Sequence, residues 1–356
     1  MEPVRVVADD VREHGLSEAL RRALLAAPRG ACATVLIHGY KFRPGDARRD
    51  PHARLYGGPA PAGAARCGDW ARALGAEGAG PVIGFGWDAR AWHLSSLLAE
   101  GRNGFARVYD RAAEAGEALR ALLEGVRALR PDLTVDLFAH SLGARVALAA
   151  ARSPRVGRMI LLGAAEDAER AAEALPARPG RPGGRRGERP GGAVGSVAAG
   201  GPGGSGGSGG PQVFHVAARH NDLFDAMFEA AAPRIGGRAP RALGRAGLGE
   251  PRGDWIDLQL DAPPLADWLA RRGVALDPRS PAVCHWSFYA RPGAMALYRR
   301  ILRDRRAWSI QALRAAGAPE GLSPRWSRLA PRGGGRLAPA LAEAALEAEG
   351  AAEAAA

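Results

Sequence analysis

The sequence has few cysteines and no long apolar run, and both absences exclude classes of protein. Its three cysteines, Cys32, Cys67 and Cys284, stand at unrelated spacings without a CxxC pair. An odd, scattered set argues against a disulfide framework and a zinc ribbon, which leaves a reducing compartment as the default. No run approaches the roughly 18 apolar residues that cross a bilayer, and the N-terminus lacks the basic and apolar regions of a signal peptide. We therefore expect a cytoplasmic protein with no membrane span.

Lysine is almost absent, and this qualifies the strongly basic charge. The net charge is +12 over 356 residues, but Lys41 is the only lysine among the 49 basic residues. Such a strong preference for arginine over lysine is typical of a GC-rich coding bias spread along the chain. Aromatic residues make up only 6%, and no nucleic-acid-binding motif is present. We interpret the arginines as solvated surface and do not expect nucleic acid to be a partner.

Glycine and proline are abundant, with 49 and 27 copies, and they are concentrated in one segment. Residues 176–211 hold too few apolar side chains to offset the entropy of ordering, so we predict a disordered Gly/Pro/Arg-rich surface loop there. Its arginines also resemble an RGG-type segment that binds RNA or lipid. A tolerated insertion is favoured because lengthening a surface loop costs little entropy. The loop interrupts a single predicted domain, residues 1–330, and residues 331–356 form a low-complexity, alanine-rich tail.

Strand and helix patterns alternate through the rest of the chain. Short apolar or alternating runs predict strands at Cys32–His38, Val82–Trp87, Leu133–Ala139, Arg158–Gly163, Gln212–Ala218 and Trp255–Leu260. Caps and apolar stripes predict helices at Ser17–Ala27, Ala106–Arg130, Leu142–Arg152 and Gly293–Leu302. This alternation predicts fold class α/β, with a parallel sheet covered by helices on both faces.

The most specific pattern is LTVDLFAHSLGARVALAA, which spans Leu133–Ala150. It joins a buried strand to a helix of small and apolar residues through a turn that contains Ser141. This is the arrangement of a nucleophile elbow, in which the serine hydroxyl projects above the edge of the sheet. Small residues two positions before and after the serine, here Ala139 and Gly143, let strand and helix approach. The alternative is a serine that only caps the helix, and the strand, turn and helix context favours the nucleophile.

A serine nucleophile needs a base, and the base needs a group that orients it. In α/β enzymes with this elbow the order along the chain is Ser, acid, His, and His285 is the only histidine after His220. We predict His285 as the base, the alternative being a histidine of an aromatic core. Asp222 follows a predicted strand and is the predicted acid, with a helix N-cap as its alternative role. Two reserve candidates for the acid are Asp225 and Asp167.

A second turn is suited to stabilise the oxyanion of an acyl-transfer reaction. The strand Cys32–His38 runs into Gly39 and Tyr40, and a glycine turn of this kind aims backbone N–H groups at a developing negative charge. We predict the N–H groups of Tyr40 and Leu142 as the oxyanion hole. His38 is expected to support the turn rather than to act as a base.

Two residues beside these groups, His140 and Lys41, indicate a function less specifically. His140 directly precedes the serine, and we interpret it as a packing residue because the turn points adjacent side chains apart. The sole lysine, Lys41, directly follows the predicted oxyanion turn. It suggests an anionic group on the substrate, but chance placement is favoured over this interpretation.

Four motifs, LIHGY, GFGW, AHSLGARVALA and CHWSFY, resemble the α/β-hydrolase superfamily. They are most similar to a poorly characterised group of bacterial serine hydrolases that share HGY and AHSxG motifs. The resemblance covers about Val4 to Arg303, excluding the predicted loop at residues 176–211. It implies an eight-stranded, mostly parallel sheet, a catalytic triad of Ser141, Asp222 and His285, and esterase-like activity.

Together these features predict a serine hydrolase that cleaves a carboxylic ester or thioester of a small-molecule acyl substrate. No Gly-rich phosphate loop, metal-ligand cluster or cofactor fingerprint is present, so we expect neither cofactor nor metal. Two alternatives stay open: a catalytically inactive binding protein of the same fold, and an acyltransferase that uses the same triad. The sequence leaves the acyl-chain length and the oligomeric state open.

Overall fold

The computed structural model describes residues 2–58, 68–75, 80–91, 104–153, 155–176, 210–278 and 281–328. Almost all of the predicted loop at 176–211 and the whole predicted tail at 331–356 lie outside these residues. The strands are β1 Val4–Val7, β2 Cys32–Ile37, β3 Val82–Gly86, β4 Thr134–His140, β5 Val156–Leu162, β6 Gln212–Ala217 and β7 Trp255–Gln259.

The described helices include the long α4, and two short helical turns lie among them. The helices are α1 Ala8–His14, α2 Glu18–Ala26, α3 Trp70–Ala73, α4 Gly104–Leu129, α5 Gly143–Ala149, α6 Ala168–Ala174, α7 Asp222–Ala231, α8 Leu243–Ala246, α9 Pro263–Ala270, α10 Ser287–Ala290, α11 Ala294–Arg303 and α12 Ile310–Ala315. The turns are a π-helical turn at His52–Tyr56 and a 3₁₀ turn at Arg219–Asn221. None of the described helices is long and apolar enough to cross a bilayer.

The sheet is parallel throughout, in the order β1-β3-β2-β4-β5-β6-β7. This confirms the predicted α/β class with a parallel sheet. The part of the chain that the structure describes supplies seven strands where eight were expected. Sequence patterns located six of them to within one or two residues at most ends. They missed β1, because its four residues are too few to display a period.

Helices cover both faces of the sheet, as predicted. Successive strand residues point to opposite faces, so the apolar runs of the central strands feed two cores. Val35 and Leu137 pack on the face covered by α4 and α5, and Leu36 and Phe138 on the face covered by α9 and α11. This double burial explains why the strands read as continuous apolar runs rather than as alternating ones.

The sheet order places the predicted site residues at one edge. The chain leaves β2 toward β3 on one side and leaves its neighbour β4 toward β5 on the other, so the two connections diverge and open a crevice at the carboxyl ends of β2 and β4. Such switch points are where open α/β sheets bind ligands. Gly39 follows β2 and Ser141 follows β4, on the two sides of this crevice. The 3₁₀ turn after β6 lies along the same edge.

Candidate active site

Ser141 occupies a strained turn between β4 and α5. Its φ is +55°, in the left-handed region that costs a residue with a side chain roughly 1–2 kcal/mol. The surrounding hydrogen bonds hold it there: its N–H donates to the carbonyl of Leu162, and its own carbonyl accepts from Ala144 and Ala165. Non-glycine residues kept in this conformation cluster at functional sites. A sharp, strained strand-to-helix turn is therefore present at Ser141 as backbone geometry.

Gly39 packs directly against the elbow. A Cβ at this position would lie 2.6 Å from Cβ of Ser141, 2.8 Å from the carbonyl oxygen of His140 and 3.2 Å from Oγ of Ser141. A side chain is excluded at Gly143 for the same reason, because a Cβ there would lie 2.6 Å from the carbonyl oxygen of His38. Both glycines are required because backbone from the turn after β2 lies in contact with the turn after β4.

His38 is fully buried and holds the turn that follows β2. Its Nδ1–H donates to the carbonyl of Gly39 (2.8 Å), its Nε2 accepts from the N–H of Trp87 (3.1 Å), and its ring stacks on the Trp87 indole. Burial lowers the pKa of His38 to about 3, so the ring is neutral. The carbonyl and N–H of a trans peptide point in opposite directions. Because His38 binds the Gly39 carbonyl, it turns the N–H of Tyr40 the other way.

The two predicted oxyanion donors lie on either side of the crevice. Within the described residues, neither the N–H of Tyr40 nor that of Leu142 donates a hydrogen bond to another protein group. Lys41, whose φ is +75°, follows directly, and it lies near enough to His285 to affect the pKa of that ring. Its relation to a substrate anion stays a prediction.

His285 has an amide partner rather than the predicted carboxylate. Its Nδ1–H donates to Oδ1 of Asn221 at 2.7 Å, and Asn221 is the last residue of the 3₁₀ turn after β6. The predicted contact between Asp222 and His285 is not formed. Instead, the Asp222 carboxylate accepts from the N–H of Trp326 (2.6 Å) and faces Arg219 (3.0 Å).

The two reserve carboxylates have different surroundings. Asp167 caps α6 by accepting from the N–H groups of Glu169 and Arg170, and it pairs with Arg238. Asp225 is buried behind Asn221, whose Nδ2 donates to its Oδ1 at 2.9 Å. A continuous chain of hydrogen bonds thus runs from His285 through Asn221 to Asp225.

Three backbone contacts hold the His285 loop against the sheet edge. The N–H of Cys284 donates to the carbonyl of His220 (2.8 Å), and Nδ1–H of His220 donates back to the carbonyl of Cys284 (2.7 Å). From the elbow, Nε2–H of His140 donates to the carbonyl of His285 (3.0 Å). His140 was predicted to be a packing residue, but it also links the His285 loop to the turn that contains Ser141. The ring of Phe224 stacks on the His285 ring.

The environment keeps His285 neutral. Partial burial of the ring, followed by the proximity of His140, His220 and Lys41, holds the pKa of His285 well below its usual value. With Nδ1–H donated to Asn221, Nε2 is the nitrogen left to accept a proton. Ser141 Oγ and His285 Nε2 form no hydrogen bond in this structure; such bonds are often long in a free enzyme and shorten when substrate binds.

Sequence reasoning missed Asn221 because it searched for an acid. The segment RHND at 219–222 places Asn221 beside Asp222, and an amide oxygen accepts a hydrogen bond as a carboxylate does, but nothing in the segment shows which of the two side chains faces His285. The comparisons with known proteins add no further guide: no protein-family model matches the chain, and neither does any curated protein sequence.

Proposed function

We propose that the protein is a serine hydrolase that cleaves a carboxylic ester or thioester through an acyl-enzyme intermediate. The observation that carries this proposal is the strained backbone of Ser141, at φ +55°, at the switch point of a parallel sheet. A serine that only capped α5 would not need the left-handed conformation. A nucleophile does, because the sharp turn is what lifts Oγ clear of the sheet.

Each remaining step has a candidate group at the same edge. Ser141 Oγ attacks the acyl carbonyl while Nε2 of His285 takes its proton, and the N–H groups of Tyr40 and Leu142 stabilise the oxyanion. His285 then protonates the leaving alcohol or thiol. Water, deprotonated by His285, attacks the acyl-enzyme and releases the acid.

Asn221 serves as the orienting residue. By accepting from Nδ1–H of His285 it selects the tautomer in which Nε2 is unprotonated, which is what a general base for Ser141 requires. Other enzymes with a nucleophile and a histidine also use an asparagine in this position. Asn221 therefore replaces Asp222 in the proposed triad.

The test is intact-mass analysis of the wild type after exposure to a fluorophosphonate, followed by product analysis with 4-nitrophenyl esters and acyl thioesters. One adduct per chain together with release of free acid supports the hydrolase. Transfer of the acyl group to an added alcohol in preference to water identifies an acyltransferase. A folded protein that forms no adduct favours the binding-protein alternative.

The pH dependence of activity is expected to be displaced to the acid side. Because the pKa of His285 is lowered well below 6.5, the neutral base persists at pH values where free imidazole is protonated. We expect kcat/KM for a neutral ester, measured between pH 4.5 and 8.5, to be lost completely only well below pH 6.5. A complete loss centred at pH 6.5 or above would contradict the proposed environment of His285.

His38 is expected to act through the Tyr40 N–H. Replacing it in His38→Phe keeps a buried ring beside Trp87 but removes the donor to the Gly39 carbonyl, so kcat falls about 100-fold, as for loss of one oxyanion donor, with little change in KM. His38→Asn, whose side-chain N–H can replace Nδ1–H, is the matched control and recovers part of the rate. Equal losses in both variants would exclude an orienting role.

A further inference from the structure

The Asn221 amide lies against a buried carboxylate that the proposed mechanism does not use. Asn221 is 2% exposed and Asp225 is 3% exposed, and Nδ2 of Asn221 donates to Oδ1 of Asp225 at 2.9 Å. The second carboxylate oxygen of Asp225 is buried and has no hydrogen-bond partner within the described residues. A carboxylate held this way is costly, so its retention calls for a function.

Backbone packs directly against this carboxylate. Gly244 of α8 lies so close to the Asp225 carboxylate that a Cβ on Gly244 would collide with Oδ2. The absence of a side chain at Gly244 therefore leaves the space that the Asp225 carboxylate occupies.

We propose that Asp225 is a positioning residue for His285, acting through Asn221, so that orientation and charge are divided between an amide and a carboxylate. The inference rests on the proposed function. Asn221 supplies the acceptor for Nδ1–H of His285, and Asp225 supplies the negative charge that Asn221 lacks.

The geometry gives Asp225 two effects. A carboxylate only accepts hydrogen bonds, so it requires the Asn221 N–H₂ group to face it and thereby directs Oδ1 toward His285. A reversed amide would present N–H₂ to Nδ1 and select the wrong tautomer. The charge of Asp225 also favours the imidazolium that forms when His285 takes the Ser141 proton, and because Asn221 and Asp225 are buried water screens this effect less than it would at the surface.

The charge of Asp225 is set by its neighbours. The charged groups around it are Arg219 of the 3₁₀ turn, Asp222 and Glu229 of α7, and Arg325 of the C-terminal segment. Burial, with a smaller contribution from Asp222 and Glu229, raises the pKa of Asp225 to about 7, against the opposing effect of the two arginines. Asp225 thus gains a proton as the pH falls through about 7. The proposal accordingly predicts a partial step in kcat near that pH, separate from the complete loss at lower pH.

The experiment compares wild type, Asp225→Asn, and the exchange variant Asn221→Asp/Asp225→Asn. The single variant removes the charge and keeps the shape. We expect its kcat to fall at least about tenfold at pH 8.5, with KM unchanged and without the step near pH 7. The exchange variant returns one carboxylate to the pair and is expected to recover most of kcat.

Two readouts do not depend on catalysis. Long-range ¹H–¹⁵N NMR of the His285 ring is expected to show Nδ1–H in the wild type and a lower imidazole pKa in Asp225→Asn than in the wild type or the exchange variant. The melting temperature of Asp225→Asn at pH 8.5 should equal or exceed that of the wild type, because a carboxyl whose folded pKa is raised weakens folding as the pH rises from its unfolded pKa to its folded pKa, and the full loss is present at pH 8.5.

The proposal is overturned if Asp225→Asn retains wild-type kcat with the step near pH 7, if the exchange variant is no better than the single variant, or if the NMR titration of His285 is unchanged. An inactive wild type would count against the proposed hydrolase. The NMR titration would still decide whether Asp225 acts on His285.

Discussion

Ser141→Ala is expected to abolish the fluorophosphonate adduct and to lower ester hydrolysis by about 10⁴- to 10⁶-fold, the range seen when a serine nucleophile is removed. The loss is this large because Ser141 is the residue proposed to carry the acyl group. Residual turnover then reflects substrate binding and the N–H groups of Tyr40 and Leu142 alone. Intact-mass analysis and hydrolysis of a 4-nitrophenyl ester measure the two effects on the same sample.

The matched control is Ser153→Ala. Ser153 is also a buried serine whose hydroxyl has no hydrogen-bond partner within the described residues, but it lies beyond the C-terminal end of α5. Ser153→Ala should form the fluorophosphonate adduct as the wild type does. His285→Ala should label far more slowly than the wild type, because Ser141 then lacks its base. An undiminished adduct on Ser141→Ala would remove the nucleophile assignment.

Asp222→Ala is expected to lower the free energy of unfolding by about 3–5 kcal/mol. Asp222 and Arg219 have side chains 1% and 0% exposed, and they face each other at 3.0 Å. Removing the carboxylate leaves the Arg219 guanidinium buried without its main counter-charge, and the N–H of Trp326 loses its acceptor. Urea denaturation followed by far-ultraviolet circular dichroism measures the change.

The double variant Arg219→Met/Asp222→Leu distinguishes a structural ion pair from a catalytic acid. Because it removes both charges, it should recover much of the stability lost in Asp222→Ala. At a temperature where Asp222→Ala is still folded, the fluorophosphonate labelling of Asp222→Ala should approach that of the wild type. If Asp222→Ala instead keeps the stability of the wild type and loses its labelling, Asp222 returns to the triad as the acid.

The positions of Ser141, His285 and the glycine turn could all be predicted because their patterns are local. Ser141 stands between a strand and a helix that are both visible in the chain. Gly39 ends a second apolar strand of the same kind. His285 was found because few histidines remain in the C-terminal part of the chain. Chain order and the rule that parallel strands end at one edge were then enough to bring these residues together.

The hydrogen-bond partner of His285 could not be predicted because it depends on a difference of one residue. Successive residues of a helix point about 100° apart, so whether Asn221 or Asp222 faces His285 depends on where the 3₁₀ turn ends and α7 begins. That junction is set by contacts distant in sequence: Arg219 with the carbonyl of Gly244, and His220 with Cys284. No pattern within residues 219–222 reports on them.

The sequence by itself determined the α/β class, the order of most strands and helices, and the elbow at Ser141, since each follows from apolar periodicity and turn chemistry within short windows. Tertiary structure alone decided that Asn221 contacts His285, that Asp222 pairs with Arg219, and that Asp225 lies buried behind the amide. The physical reason is that a side chain's role depends on its direction and its partners. Both are determined by packing between segments tens of residues apart.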